Sequence, residues 1–371
     1  MSARKFWLGF NHVKGIGAVR LRALYAHFGS LEIAWHAAPA DLQAAGLDQR
    51  SLRSLLESRR ELDLDRISDQ VDALGASVLT IEDPDYPARL QNQSDSPPVL
   101  YVKGTLLERD QWAVAFVGTR SATSYGRTVT RQLAGALAQS GVTIISGMAL
   151  GIDAAAHRAA IEAGGRTFAV LGCGIDVVYP PDHHELAAAI QDHGALITEY
   201  PPGTPPESSH FPARNRIVSG LSMGVVVVEA PAKSGALITA NLAADQGREV
   251  FAVPGNITNR NSQGTNRLIQ EGATLVMHPD DILEELNLVR VPIQAREEVE
   301  AVAPANEVEA SLLALLVDEP LHIDELCQLS ELPITQVSST LALMELKGIV
   351  QRVENMRYQI TAGGGEHYRL D

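Results

Sequence analysis

Between Phe211 and Ser219 the chain reads Phe-Pro-Ala-Arg-Asn-Arg-Ile-Val-Ser. Arg214 and Arg216 flank Asn215, just after Phe211-Pro212. Guanidinium groups bind phosphate through paired N–H donors, and a nearby aromatic ring offers a face to a nucleobase. This grouping suits a polyanion. The whole chain, however, has 45 Asp and Glu against 30 Lys and Arg, a formal net charge of -15. That balance argues against bulk attraction to nucleic acid, and any cations that do this work must be gathered locally.

Further candidates sit in Gly-rich segments, each following a short apolar run. Gly118-Thr119-Arg120 follows Ala113–Val117, and Ser146-Gly147-Met148-Ala149-Leu150-Gly151 follows Val142–Ile145. Gly172-Cys173-Gly174 follows Thr167–Leu171, and Tyr200-Pro201-Pro202-Gly203 follows Ala195–Glu199. Ala230-Pro231-Ala232-Lys233-Ser234-Gly235 follows Val225–Glu229, and Pro254-Gly255 follows Glu249–Val253. Glycines let a backbone approach a ligand closely, and the helix starts beyond them favour an anion. With Arg120, Arg214, Arg216 and Lys233, these loops form an anion-binding ridge.

The elements that would position them alternate. The apolar runs, together with Ala273–Val276, read as strands. Tyr125–Gln139, Ile152–Ala163, His184–Asp192, Arg214–Gly220, Ala236–Asp245 and Thr265–Gln270 read as helices. Continuous apolar strands alternating with helices predict a parallel sheet covered on both faces. The expected fold is α/β: an extended Rossmann-like, doubly wound, mostly parallel sheet. In such sheets ligands bind outside the carboxyl ends of the strands, where these loops fall.

Other chemistries fit less well. No Gly-x-Gly-x-x-Gly fingerprint follows the first core strand, and Ser146-Gly147 stand where an acidic ribose ligand is expected, so a dinucleotide is disfavoured. No Gly-x-x-x-x-Gly-Lys-Ser/Thr run marks an ATPase. Asp153 and His157 share a helix face but lack a third metal ligand, and Asp153 suits a capping and dipole role. Ser146, Ser219 and Ser234 lack a nucleophile-elbow context. The expectation is no catalytic residue, no metal and no cofactor. Two distant cysteines, Cys173 and Cys327, make a disulfide framework improbable. No apolar run approaches the ~18 residues of a membrane span, and no signal-peptide region is seen, so the cytoplasm is the expected compartment with no membrane partner.

The flanks differ from the core. Residues 1–75 read as an N-terminal helical domain, with helices at Ala18–Phe28, Pro39–Ala45, Gln49–Ser58 and Asp63–Leu74. There Val13-Lys14-Gly15-Ile16-Gly17 precedes an amphipathic helix, the pattern of a helix-hairpin-helix turn whose N–H groups can approach DNA phosphate. Residues 76–287 are the core, and residues 76–111 of it read as an irregular lead-in. Residues 288–306 read as a solvated linker. Residues 307–371 read as a winged helix, from helices at Val308–Leu316, His322–Leu329 and Pro333–Lys347 and a hairpin of Val350–Val353 and Arg357–Ile360. Pro333–Lys347 holds no arginine, which argues against direct DNA reading by that helix.

Taken in order, the segments resemble the DNA-processing protein A family (DprA, also called Smf). The resemblance rests on Val117-Gly118-Thr119-Arg120, Ser146 through His157, Leu171-Gly172-Cys173-Gly174-Ile175, Tyr179-Pro180 and Glu199-Tyr200-Pro201. It continues through Phe211–Gly220, Ser234–Ala240, Pro254-Gly255 and Gly264-Thr265-Asn266, with Asp83, Tyr86-Pro87 and Pro98–Gly104 leading in. The family often carries an N-terminal sterile-alpha-motif-like domain and a C-terminal winged helix. The resemblance implies a non-catalytic protein of natural transformation. It would bind and protect incoming single-stranded DNA, help load a RecA-type recombinase, and form a homodimer through the Rossmann-like core. Carried over by motif, Gly118, Thr119, Arg120, Phe211, Arg214, Asn215, Arg216, Lys233, Ser234 and Gly235 would line the DNA groove. The loops add Ser146, Gly147, Met148, Ala149, Gly172 and Gly174 to the candidate DNA-binding set.

Two alternatives stay open. One is a nucleotide hydrolase of the lysine-decarboxylase-like phosphoribohydrolase class. Its Pro-Gly-Gly-x-Gly-Thr-x-x-Glu loop is matched here by Ala230–Ala240, which has Lys233 and no glutamate, leaving Glu199 or Glu229 as the possible base. The other is a sequence-specific regulator built around the winged helix.

Overall fold

A computed structural model describes residues 4–91, 93, 95–288, 307–316, 321–330, 332–346, 350–353 and 356–360. They belong to two compact units, Met1–Val289 and Arg290–Asp371.

The first unit is built on a nine-stranded sheet ordered β1-β2-β6-β5-β4-β3-β7-β8-β9. Its strands are β1 (Ser77–Thr80), β2 (Val99–Gly104), β3 (Ala113–Val117), β4 (Thr143–Ser146), β5 (Thr167–Val170), β6 (Gly194–Thr198), β7 (Gly224–Val227), β8 (Glu249–Ala252) and β9 (Thr274–Leu275). From β6 across to β9 all neighbours are parallel. Central β3, Ala-Val-Ala-Phe-Val, is buried along its whole length, as a strand covered on both faces must be. The chain leaves β3 through β4, β5 and β6 on one side, then returns to β7, β8 and β9 on the other. The strand order thus reverses between β3 and β7, which makes this the switch point where an open α/β sheet offers a crevice.

The lead-in differs from its reading as irregular chain. It contributes β1 and β2, which extend the sheet antiparallel: β2 pairs with both β1 and β6. The turn signals Asp83-Pro84-Asp85-Tyr86-Pro87 and Pro97-Pro98 lie next to both strands and mask them in the sequence. On β2, Val99 and Tyr101 join one hydrophobic cluster while Leu100 and Val102 join the other, the two-residue alternation of a strand buried on both faces.

Six helices precede the sheet: Arg4–Asn11, Ala18–Phe28, Leu31–His36, Pro39–Ala44, Gln49–Glu61 and Leu64–Ala73. Their ends follow local chemistry. Gly29 closes one helix at φ 70° with its N–H on the Tyr25 carbonyl, and the Ser30, Asp48 and Asp63 side chains cap the starts of three others. These helices share a core with the sheet. Trp7, Phe10, Leu24 and Leu55 lie in one cluster with Met148, Ala154, Leu171 and Ile190. Polar ties accompany the packing: Trp7 Nε1 donates to Glu82 at 2.9 Å, and Tyr101 Oη donates to Asn11 at 2.9 Å.

The second unit holds helices Glu307–Leu315, Ile323–Ser330 and Ile334–Leu346, with a three-stranded sheet of β10 (Leu321–His322), β12 (Arg357–Ile360) and β11 (Val350–Val353) in that order. Leu312, Leu326, Val337, Leu341 and Met344 form its core. This is a winged-helix arrangement, with β10 added to the expected hairpin. Most of the linker, residues 289–306, and Lys347 fall outside the described residues.

Candidate nucleic-acid interface

Loops after β3 and β7 meet at the switch point and are tied by Glu229. This residue is 1% exposed. Its carboxylate accepts from the Thr123 N–H at 2.9 Å and the Thr123 hydroxyl at 2.6 Å, and its carbonyl accepts from the Thr119 N–H at 2.8 Å. A Cβ at Gly126 would run into that carboxylate. The segment Arg260–Ser262 closes the same corner, since Ala230 N–H donates to the Asn261 carbonyl at 2.7 Å and the Asn261 amide reaches Ser121.

On this frame Arg120 is exposed, and its Cζ stands 5.6 Å from the centroid of the Phe211 ring. Phe211 is half-buried, packs over Gly172 and lies 5.4 Å from the Tyr179 ring, which is 39% exposed. Lys233 is exposed on the loop after β7, where the Ser234 hydroxyl caps the following helix by accepting from Ala236 N–H. Gly235 faces open space. Gly118 and Thr119 are half-buried in the loop that presents Arg120. The loop after β4 comes against it: Gly151, at φ 82°, sits where a Cβ would strike the Thr119 carbonyl, so only glycine fits.

The geometry corrects the expected role of four residues. The helix expected at Arg214–Gly220 starts earlier, at His210, because Pro212 falls in its first turn, where no backbone donor is missed, so all of Phe211–Ser219 is helical. Residues two apart on a helix point in different directions, so Arg214 and Arg216 diverge. Arg214 is 4% exposed, donates to the Val170 carbonyl and lies against Gly147. Arg216 donates from both Nη atoms to the Glu199 carboxylate at 2.6 Å and from Nε to the Asp95 carbonyl at 3.0 Å. Neither guanidinium is free to meet a strand. Ser146 is buried with its hydroxyl on the Phe116 carbonyl, and Met148 is buried beneath the loop.

These residues instead shape the loop after β4. Asp153 accepts from the Gly147 and Ala149 N–H groups at 3.1 and 3.3 Å. Burial pushes its pKa up, and the Arg214 guanidinium opposes that shift. Burial likewise lowers the Arg214 pKa, with Asp153 opposing. Met148, held at φ 57°, accepts from His183 Nδ1 at 2.9 Å. His157 turns to the Thr167 hydroxyl at 2.7 Å, and burial lowers its pKa to about 3. Of the remaining candidates, Gly174 donates to the Thr204 carbonyl, Ala149 is half-buried in the loop, and Asn215 is half-buried on the helix. Burial pushes the neighbouring Cys173 thiol up to about 11.

Sequence reading missed three contributors. Glu229 was noticed only as a possible base. Tyr179 adds a second ring, and exposed Arg260 adds a cation beside Asn261. Tyr179-Pro180 was visible as a motif, whereas nothing in the spacing of Arg260 from the other loops marks it.

An open, mostly parallel sheet with cations and rings at its switch point, accompanied by a winged-helix unit, defines a Rossmann-type binding protein. The family model for DNA recombination-mediator protein A matches residues 77–287, and that for the DprA winged helix domain matches residues 296–356. The chain belongs to this family. It is 36% identical to Protein Smf of Synechocystis sp., over 96% of this chain and 99% of that one. The fold is similar to DNA processing protein A of Streptococcus pneumoniae (TM-score 0.68, 33% identity, 77% of this chain and 99% of that one). It is also similar to DNA processing protein A of Helicobacter pylori, whose structure concerns its single-stranded DNA binding mode (TM-score 0.52, 32% identity, 57% of this chain and 96% of that one). Among the described residues no helix is long and apolar enough to cross a membrane.

Proposed function

We propose that this protein binds single-stranded DNA non-catalytically at the switch-point groove. Arg120, Lys233 and Arg260 would meet phosphates, and Phe211 with Tyr179 would receive bases. The observation that carries this reading is exposed Arg120 standing over the Phe211 ring, with Lys233 on the neighbouring loop. Cation and ring side by side match a sequence-tolerant single-strand site. The Helicobacter pylori relative's single-strand mode supports the same ligand. In this reading the protein protects incoming DNA during natural transformation and helps load a RecA-type recombinase, acting as a homodimer through the Rossmann-like core.

The hydrolase reading loses its two candidate bases. Glu199 is paired with Arg216, and Glu229 holds Thr123.

Fluorescence anisotropy with labelled oligo-dT across a salt series tests the site. The Arg120→Ala/Lys233→Ala protein should bind at least tenfold more weakly, with a shallower salt slope of roughly 0.7 per lost phosphate contact. Unchanged affinity and slope would remove the groove from consideration. Release of free base from nucleoside monophosphates by the pure protein would restore the hydrolase. Recombinase filament formation on protein-bound strand, with and without the double variant, tests the loading step.

A further inference from the structure

We propose that the N-terminal helices carry a second polyanion site, separate from the groove, that takes the phosphate backbone of duplex DNA. Two turns meet there. One, through Lys14 and Gly15, joins helices Arg4–Asn11 and Ala18–Phe28; the other, Ala45–Asp48, joins Pro39–Ala44 and Gln49–Glu61. The Ser51 hydroxyl donates to the Gly15 carbonyl at 3.2 Å. Arg20 Nη1 donates to that same carbonyl at 2.6 Å and to the Ser51 hydroxyl at 2.8 Å. Arg20 also pairs with Asp48, the acid that ends the second turn.

This fastening sets Lys14 beside the start of the Gln49–Glu61 helix. Arg50 and Arg53, three residues apart and so on one face of it, point outward. Lys14, Arg50 and Arg53 are all exposed. Among the described residues, the ion pairs of these helices are Arg4–Asp83, Lys5–Asp65 and Arg20–Asp48, which leaves the three cations to solvent. On a chain of net charge -15, Lys14 on the first turn and Arg50 and Arg53 at the start of the Gln49–Glu61 helix are a local group of cations without ion-pair partners, with exposed Glu57 one helical turn beyond Arg53. The Ala18–Phe28 helix adds first-turn N–H groups, because Gly17 precedes it without a side-chain cap.

The patch favours duplex over single strand through what it lacks. The segments that carry the three cations, Lys14–Gly17 and Ala45–Glu57, hold no aromatic residue. Elsewhere in these helices Phe6, Trp7, Phe10 and Trp35 are buried, and the half-buried Tyr25 and Phe28 pack against Trp7 and His27. With no ring among these cations, unstacked bases gain little there, while the dense charge of a duplex backbone gains most. The groove at the switch point has the opposite character, with Phe211 and Tyr179 within reach of a base. The two sites therefore sort the two forms of DNA.

The test uses the full chain with a blunt labelled duplex and labelled oligo-dT as probes. Lys14→Ala/Arg50→Ala/Arg53→Ala should weaken duplex binding at least tenfold. Its salt slope should fall by roughly 2–3, at ~0.9 per phosphate contact, with oligo-dT binding unchanged. Lys14→Arg/Arg50→Lys/Arg53→Lys, which keeps the charge, should bind duplex as the parent does. Arg120→Ala/Lys233→Ala should show the converse, losing oligo-dT and keeping duplex. The proposal is overturned if the parent protein does not bind duplex, if the triple alanine variant binds duplex normally, or if either variant loses both probes together.

Discussion

Arg214 and Arg120 are both arginines of the sheet's carboxyl edge, yet one is buried with its guanidinium on the Val170 carbonyl and the other stands in solvent over a ring. Removing the buried one leaves the Val170 carbonyl without its donor and Asp153 with only the Gly147 and Ala149 N–H groups to favour its charge. Arg214→Ala is expected to cost ~2–4 kcal/mol, through the lost bond to the buried Val170 carbonyl and the cavity left in the core, read as a lower urea midpoint. The pH dependence has a definite sign. Asp153 has a folded pKa above its unfolded value, so the folded state holds the proton more tightly and stability falls as pH rises through that window. Losing Arg214 raises that pKa further, so the deficit against the parent protein should be larger in mildly alkaline than in mildly acidic buffer. His157 runs the other way. Its pKa falls from 6.5 to about 3, so the stability it supports is complete above 6.5 and is lost as pH falls from there toward 3. That loss is ~1.4 kcal/mol per pH unit. His157→Gln should flatten the acid limb of the stability curve; a limb as steep as the parent's would assign it to other groups.

At the scale of elements, the switch point depends on Glu229 fastening the loop after β3. Gly126→Ala would push the carboxylate off Thr123, freeing a buried charge and loosening the loop that carries Arg120. A loss of ~2–4 kcal/mol in stability and a several-fold weaker oligo-dT affinity are expected together. Weaker affinity at full stability would mean the glycine matters to the ligand directly. The parallel core was legible because its strands are short apolar runs: Ala113–Val117 falls where the sequence places it, and Thr167–Leu171 and Val225–Glu229 overlap β5 and β7. β1 and β2 were not legible, since proline-rich turns beside them outweigh their short apolar runs. The loops of the site were legible as a set. What each cation does was not, because the partners of Arg214 and Arg216 lie far off in sequence: Val170 at 44 residues, Asp95 at 121.

Across the whole molecule, acidity makes the few exposed cations decisive. Outside these clusters of cations the net charge of -15 repels a polyanion, so binding should fall steeply with salt, and single-strand binding should survive poorly without Arg120 and Lys233. The N-terminal helices bear on the molecule in another way. Their core is continuous with the sheet through Trp7, Phe10, Met148 and Leu171, so residues 1–75 do not behave as a detachable module. A single melting transition is expected for residues 1–289 by calorimetry, and two separated transitions within that span would show independent folding. A shortened protein starting after residue 75 would bare the apolar face that Leu171, Ile190 and Leu196 now bury, and should precipitate or self-associate. Any test of what the helical section contributes must therefore be made by exposed substitutions in the full chain, because cutting it away bares the core that it shares with the sheet.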